Sequence, residues 1–339
     1  SPAAHELLFA DLMIPVLFPA NVQEVIDYAL YGWALSRFAG TWVGLKMIPD
    51  TIAATSSVLG DVDRIQITTP SDMIFPGDGV SLRVPDHYRN QEARTRHFKI
   101  PAAIAFARAN KINRVTHSSP NPRYGIMATG KAWTDVCQAL DEMGLNEERL
   151  SDLGITVLKV AMPYPADEAA IRDFARDLEE ILVVEEKHRL TEMNVKDALY
   201  DLPDTRRPRV VGRFDETGQM ILPDWPEYTP DDIVRVLSER IAHFYTSEPI
   251  QSRLDFLQTR SERAAQRELL DIERQPFFCS GCPHNTSTQV PDGSRAHGGI
   301  GCHMLATFMD RNNTTHTHMG GEGANWLGQA PFVKTKHVF

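Results

Sequence analysis

RYGIMATGKAWTDVCQALDEMG, residues 123–144, then GITVLKVAM at 154–162 and EILVVEEK at 180–187, decide the fold of this chain. RYGIMAT reads as a strand, and GKAWTDVCQALDEMG as a helix whose Trp133, Val136, Cys137 and Leu140 face inward. GITVLKVAM is a second strand, Asp167 opens a helix over EAAIRDFARDL, and EILVVEEK is a third strand. Strand–helix–strand–helix–strand with short loops predicts a parallel sheet covered by helices. The unbroken apolar run ILVV fits a strand buried on both faces.

Working outward, NVQEVIDYALYGWALSRFAG (21–40) predicts a helix capped by Asn21 and ended by Gly40. Val25, Ile26, Ala29, Leu30, Trp33, Ala34 and Phe38 would form its apolar stripe. TWVGLKMI (41–48) reads as a strand, residues 50–95 as irregular, and IPAAIAFARAN (100–110) as a helix with Pro101 in its first turn. Beyond the central repeat, RPRVVGRF (207–214) is a short strand. TPDDIVRVLSERIAHF (229–244) is a helix started by Thr229, Pro230 and two acids. A charged helix is expected over roughly 251–274, broken by Pro276.

The 339 residues suffice for two or three domains, and 42% apolar with 24% charged residues is the composition of a globular protein. A net charge of −10 argues against a general nucleic-acid binder. No run approaches the length of a membrane span, and SPAAHELLFADLMIPVLFPA lacks the basic start of a signal peptide. It reads as a chain entered partway through a domain. Four unevenly placed cysteines make no disulfide framework, so a reducing, cytoplasmic location is expected.

Three of those cysteines, Cys279, Cys282 and Cys302, fall within FFCSGCPHNTSTQVPDGSRAHGGIGCHM (277–304). Six of the twelve histidines lie in the last 56 residues. Three readings stand open. The thiols hold nothing; or, with His284 or His303, they complete a tetrahedral zinc site that stabilises a non-catalytic α/β interaction module; or they ligate an iron–sulfur cluster, which needs a fourth thiolate. Cys137, facing inward from a helix, is a packing residue and a poor fourth. HTHMGGEGANW (316–326) is a glycine-rich loop, which alone is more often a plain turn than a phosphate cradle.

Together and in order, GIMATGKAWTDVCQAL, LKVAMPYP, ILVVEEK, FFCSGCPH, GGIGCHM and MGGEGANWLGQAPF resemble the indolepyruvate ferredoxin oxidoreductases. These are thiamine diphosphate-dependent 2-oxoacid:ferredoxin oxidoreductases, and the likeness is greatest to the long, fused bacterial form. The resemblance implies a multi-domain α/β protein with transketolase-like parallel sheets. Residues 1–70 would be the C-terminal half of a pyrimidine-binding domain and 71–95 a connector. Residues 96–205 would be a transketolase C-terminal-like domain, 206–275 a connector with helices, and 276–339 the start of a diphosphate-binding domain.

The implied reaction is oxidative decarboxylation of an aryl 2-oxoacid to an acyl-CoA, with coenzyme A as substrate and ferredoxin as electron acceptor. The implied cofactors are thiamine diphosphate, Mg2+ and a [4Fe-4S] cluster, and the implied assembly is a homodimer. By the same resemblance Cys279, Cys282 and Cys302 ligate the cluster, and Ile300, Gly301, Met319, Gly320, Gly321 and Glu322 line the thiamine diphosphate pocket. No position matches the family's activating glutamate, and its Gly-Asp-Gly motif would follow KHVF (336–339). The chain alone is therefore expected to be inactive. Glu185, Glu186 and Lys187, at a strand end, are assigned a structural or interdomain role rather than a catalytic one.

Overall fold

The computed structural model describes residues 4–266 and 275–335. The chain divides into two compact units, Ser1–Arg263 and Ala264–Phe339.

In the first unit, helix α1 (Val22–Ala39) starts where expected, with the Asn21 side chain accepting from Glu24 N at 3.0 Å. It ends at Gly40, whose φ of 66° is cheap only for glycine. Its apolar stripe is not its buried face. Glu24, Tyr28, Gly32, Leu35 and Ala39 turn inward, while Ile26, Leu30 and Trp33 stay exposed. TWVGLKMI is mostly loop. Only Gly44–Leu45 is extended, paired in parallel with Val16–Leu17. Helix α2 (Ile100–Ala109), with Pro101 in its first turn, packs Ala102, Ala103, Phe106 and Ala107 into one core with Tyr28 and Leu35.

A five-stranded sheet follows: β1 (Arg114–His117), β2 (Tyr124–Thr129), β3 (Ile155–Val160), β4 (Glu180–Val184) and β5 (Arg209–Val211). Spatial order is β1-β3-β2-β4-β5, with β1 antiparallel to β3 and every other pairing parallel. The parallel, helix-covered α/β sheet expected from residues 123–187 is therefore present. The antiparallel edge strand β1 was not legible, because RVTH is short and only half-buried. Strand β4 ends at Val184, before Glu185.

Between β2 and β3 runs helix α3 (Gly130–Glu142), burying Ala132, Val136, Ala139 and Leu140, with Trp133 half-covered. Helix α4 (Glu168–Phe174) joins β3 to β4, and α5 (Leu190–Tyr200) joins β4 to β5. Residues 206–275, expected to be a connector with helices, supply helix α6 (Pro230–Ile241) and helix α7 (Glu248–Ala265). Ile233, Val234, Leu237 and Ile241 of α6 and Leu257 of α7 join Ile126, Leu182 and Val184 in the main core. Met127, Ile181 and Val183 point to the opposite face, against Ile171, Val195 and Leu199. That alternation is what a strand with both faces covered requires. Of the charged helix expected over 251–274, the part beyond residue 266 lies outside the described residues.

The second unit is built on a short parallel pair, β6 (Ala296–Gly298) and β7 (Asn313–His316), with short helices α8 (Cys302–Leu305) and α9 (Ala324–Gln329). Among the described residues no helix is long and apolar enough to cross a membrane.

Candidate functional site

The two glycine-rich motifs leave the same ends of the parallel strands β6 and β7. Gly299, Ile300 and Gly301 follow β6, and the run from Thr317 to Gly323 follows β7 and leads into α9. The carboxyl ends of parallel strands are where α/β sheets hold ligands, because the loops there diverge into a crevice. Thr317 N donates to Gly298 O at 3.0 Å and ties the loops at their roots.

Glu322 joins them further out. Its side chain, though exposed, accepts from Gly320 N at 2.8 Å and lies where a Cβ on Gly299 would come within 3.1 Å of its Cγ. Gly301, Gly320 and Gly323 adopt φ of 82°, 86° and 80°, the left-handed region. A Cβ on any of the three would meet nothing within 4 Å, so their backbone faces open space. Ile300 and Met319 are exposed, Met319 to 76%.

Residues the sequence reading passed over support this loop pair. His297 on β6 sets its Nδ1 3.2 Å from Asn325 Oδ1, while Asn325 Nδ2 donates to Thr315 Oγ1 at 3.1 Å. The second bond fixes the amide, so His297 Nδ1 is the donor and Nε2 the bare acceptor. That Nε2 is buried with no hydrogen-bond partner among the described residues. A histidine enclosed by RAHGG was the available signal.

Cys279 and Cys282 share one turn, closed by Cys282 N donating to Cys279 O at 3.1 Å with Gly281 at φ 72°. Cys282 Sγ lies 3.2 Å from His284 Nδ1. Cys302 opens α8, and the ring of its neighbour His303 meets that of His284 edge-on at 5.2 Å. The two halves of the cysteine motif thus touch through histidines. All four cysteines are free thiols, and among the described residues no three of His, Cys, Asp and Glu converge on a point that could hold a metal. As placed, the three thiols do not form a finished cluster site. The positive-φ glycine turns, whose backbone faces open space, suit an anionic cofactor, whereas the bare His297 Nε2 is an acceptor and calls for a donor, not an anion.

In the first unit, each charged residue after β4 already has a structural partner. Glu185 accepts from Thr191 N at 2.8 Å and Glu192 N at 2.7 Å, capping α5. Burial pushes its carboxyl up to about 7. Glu186 accepts from Tyr228 N at 3.0 Å, and Lys187 pairs with Glu227 at 2.9 Å. Burial pushes the Cys137 thiol up to about 11, which suits a packing residue and not a ligand.

Residues 114–264 match the family described as the indolepyruvate oxidoreductase domain. The indolepyruvate oxidoreductase subunit IorA of Methanothermobacter thermautotrophicus is 27% identical over 282 residues, covering 80% of this chain and 38% of that protein. The subunit of the same name from Pyrococcus abyssi is 25% identical over 305 residues, covering 87% of this chain and 43% of its own length. The chain thus spans about two fifths of these relatives. A solved 2-oxoglutarate:ferredoxin oxidoreductase from Magnetococcus marinus aligns at a TM-score of 0.40 and 15% identity, over 67% of this chain and 42% of that one. Residues 114–264 thus match the indolepyruvate oxidoreductase domain family, and the chain is similar along most of its length to indolepyruvate oxidoreductase subunits.

Proposed function

We propose that this chain is part of an oxidoreductase that oxidatively decarboxylates an aryl 2-oxoacid of the indolepyruvate type. Coenzyme A takes the acyl group and ferredoxin the electrons. The observation that carries the reading is the domain match at residues 114–264, on a chain whose glycine motifs share the carboxyl ends of β6 and β7. Bound thiamine diphosphate would supply an electron sink for the pair released as carbon dioxide leaves.

The chain's own part is to hold and shape. The backbone of the positive-φ Gly301 turn faces the cofactor's charged end, as glycine turns of this kind favour anions, while the Gly320 and Gly321 amides hold their own loop in shape by donating to Glu322 and His318 O. Ile300 and Met319, apolar and exposed in this structure, cover its organic body. Glu322 fixes the Gly320 turn through its bond to the Gly320 amide. Cys279, Cys282 and Cys302 donate thiolates to an iron–sulfur cluster, with the remaining ligand from outside these 339 residues. Among the described residues the three thiols do not converge, so holding a cluster would require residues 279–302 to draw together.

Neither the ligands of Mg2+ nor an activating carboxylate is assigned within the chain, so its catalytic apparatus is completed elsewhere. The test is viologen reduction driven by indolepyruvate and coenzyme A. The chain alone should show no turnover, and the enzyme completed with the segments its relatives carry should. Acyl-CoA formation by the isolated 339-residue chain would overturn the division of labour.

A further inference from the structure

At the amino ends of the parallel strands, where β2, β4 and β5 begin, the first unit carries a cavity of about 550 Å³. Its floor is Tyr124, Glu180 and Arg240, all buried. Its rim holds Arg123, Arg207 and Arg209, with Glu179 and Asp204, and the ring of Phe244 closes one side. Four arginines line it against three carboxylates, and a fourth carboxylate, Glu216, is bonded to Arg240, so the charges balance and what distinguishes the arginines is how firmly each is held.

The arginines are not equally committed. Arg240 is locked, donating from Nε to Glu180 at 2.8 Å and from Nη1 to Glu216 at 2.9 Å. Arg209, half-exposed, only shares those same carboxylates, at 3.6 Å from Glu180 and 3.4 Å from Glu216. Arg123 lies over the Phe244 ring at 4.6 Å and pairs with Glu179, a carboxylate that is 68% exposed. Arg207 pairs with Asp204, which is 88% exposed. Ion pairs to such exposed carboxylates are worth at most about 1 kcal/mol. Arg123 and Arg207 can therefore exchange carboxylates at little cost, Arg207 staying tethered by Nη1 to Tyr200 O at 2.8 Å, and Arg209 is held only by long contacts; a bidentate phosphate is a better partner than a screened carboxylate.

A second observation points into the same cavity. The Tyr124 hydroxyl is buried without a hydrogen-bond partner among the described residues. A buried, unmet hydroxyl costs about 1–3 kcal/mol, a cost that a bound acceptor would remove.

We propose that this cavity binds a small organic phosphate monoester. Arg123, Arg207 and Arg209 hold the phosphate dianion, Tyr124 donates to it, and the organic body lies against Phe244 and Pro208. The cavity is wider than inorganic phosphate needs, which is why the ligand carries an organic body. This site is separate from the glycine loops of the second unit and does not depend on the oxidoreductase reading.

The 339-residue chain is titrated calorimetrically, at constant ionic strength, with phenyl phosphate, inorganic phosphate and benzyl alcohol. Phenyl phosphate should bind more tightly than inorganic phosphate, and benzyl alcohol not at all. Arg209→Gln and Arg123→Gln should each weaken phenyl phosphate about tenfold, and Tyr124→Phe by a similar factor. Arg37→Gln on α1 should change nothing. Tyr124→Phe should also fold at least as stably as the parent, so its lost affinity cannot be ascribed to misfolding. No heat with either phosphate, equal binding by parent and Arg209→Gln, or a response reproduced by sodium chloride would each overturn the proposal.

Discussion

Glu24 shows why the inward face of α1 was misread. Hydrophobic periodicity selects Ile26, Leu30 and Trp33, but Trp33 is 73% exposed. The helix turns instead on charge. Glu24 pairs with the fully buried Lys159 of β3 and with Arg114 at 3.1 Å, and Arg114 also reaches the Tyr28 hydroxyl at 3.4 Å. The Lys159 ammonium lies 3.8 Å from the centre of the Trp133 ring. A buried pair satisfied this way is invisible to an apolar pattern. Breaking it strands a charge in the core, so Glu24→Leu should cost about 3–5 kcal/mol in urea unfolding. Lys159→Met added to Glu24→Leu should recover most of that loss, whereas a single-variant cost below about 1 kcal/mol would show that the pair does not anchor α1.

Glu185 gives a pH signature at the same scale. Its carboxyl is raised from 4.5 to about 7, first by burial, against the two α5 amides that favour the charged form. A raised folded-state value means the folded chain holds the proton longer than the unfolded chain. The stability this adds is fully present below about pH 4.5 and is lost as pH rises through about 7. Glu185→Gln should remove that slope from the stability profile. A glutamate carboxyl titrating near its ordinary value in carbon NMR would contradict the assignment.

Among elements, the strands β2, β3 and β4 were legible because both their faces are covered, which writes a continuous apolar run. Helix α6 was legible from its cap: Thr229 Oγ1 accepts from Asp232 N at 3.4 Å, and Asp232 accepts in return from Thr229 N at 2.9 Å. Thr229→Ala should cost about 1 kcal/mol. The β1 edge left no such pattern, being short and partly exposed, and the apolar run TWVGLKMI suggested a longer strand than the two residues Gly44–Leu45 that pair. The β2–α3 junction turns on Gly130, at φ 48°, where a Cβ would run into the buried Phe18 ring. Gly130→Ala therefore meets both backbone strain and overpacking and should lower the urea midpoint by an amount equivalent to about 2–4 kcal/mol. A change below about 0.5 kcal/mol would mean the N-terminal segment does not pack against this turn.

At the scale of the whole molecule, sequence and structure divide the site between them. The glycine motifs could be read because positive φ needs glycine, and the structure gathers GGIG and MGGEG through Glu322 and Gly299. His297 and Asn325 escaped notice because their importance lies in a hydrogen bond across 28 residues, which no local pattern announces. The arginine cavity escaped for the same reason. Its members lie on either side of three strands and at the end of α6, and meet only in the fold. The cysteines were legible as a motif, but a motif does not close itself: Cys302 and the Cys279–Cys282 turn come together only through His303 and His284.

The most direct measurement is therefore the iron, acid-labile sulfide and zinc content of the protein purified without oxygen, with the relatives' remaining segments present. About four irons with matching sulfide, lost in Cys279→Ser, is the expected result. Tightly held zinc with no sulfide would contradict it, and would leave the three cysteines a structural role with no part in electron transfer.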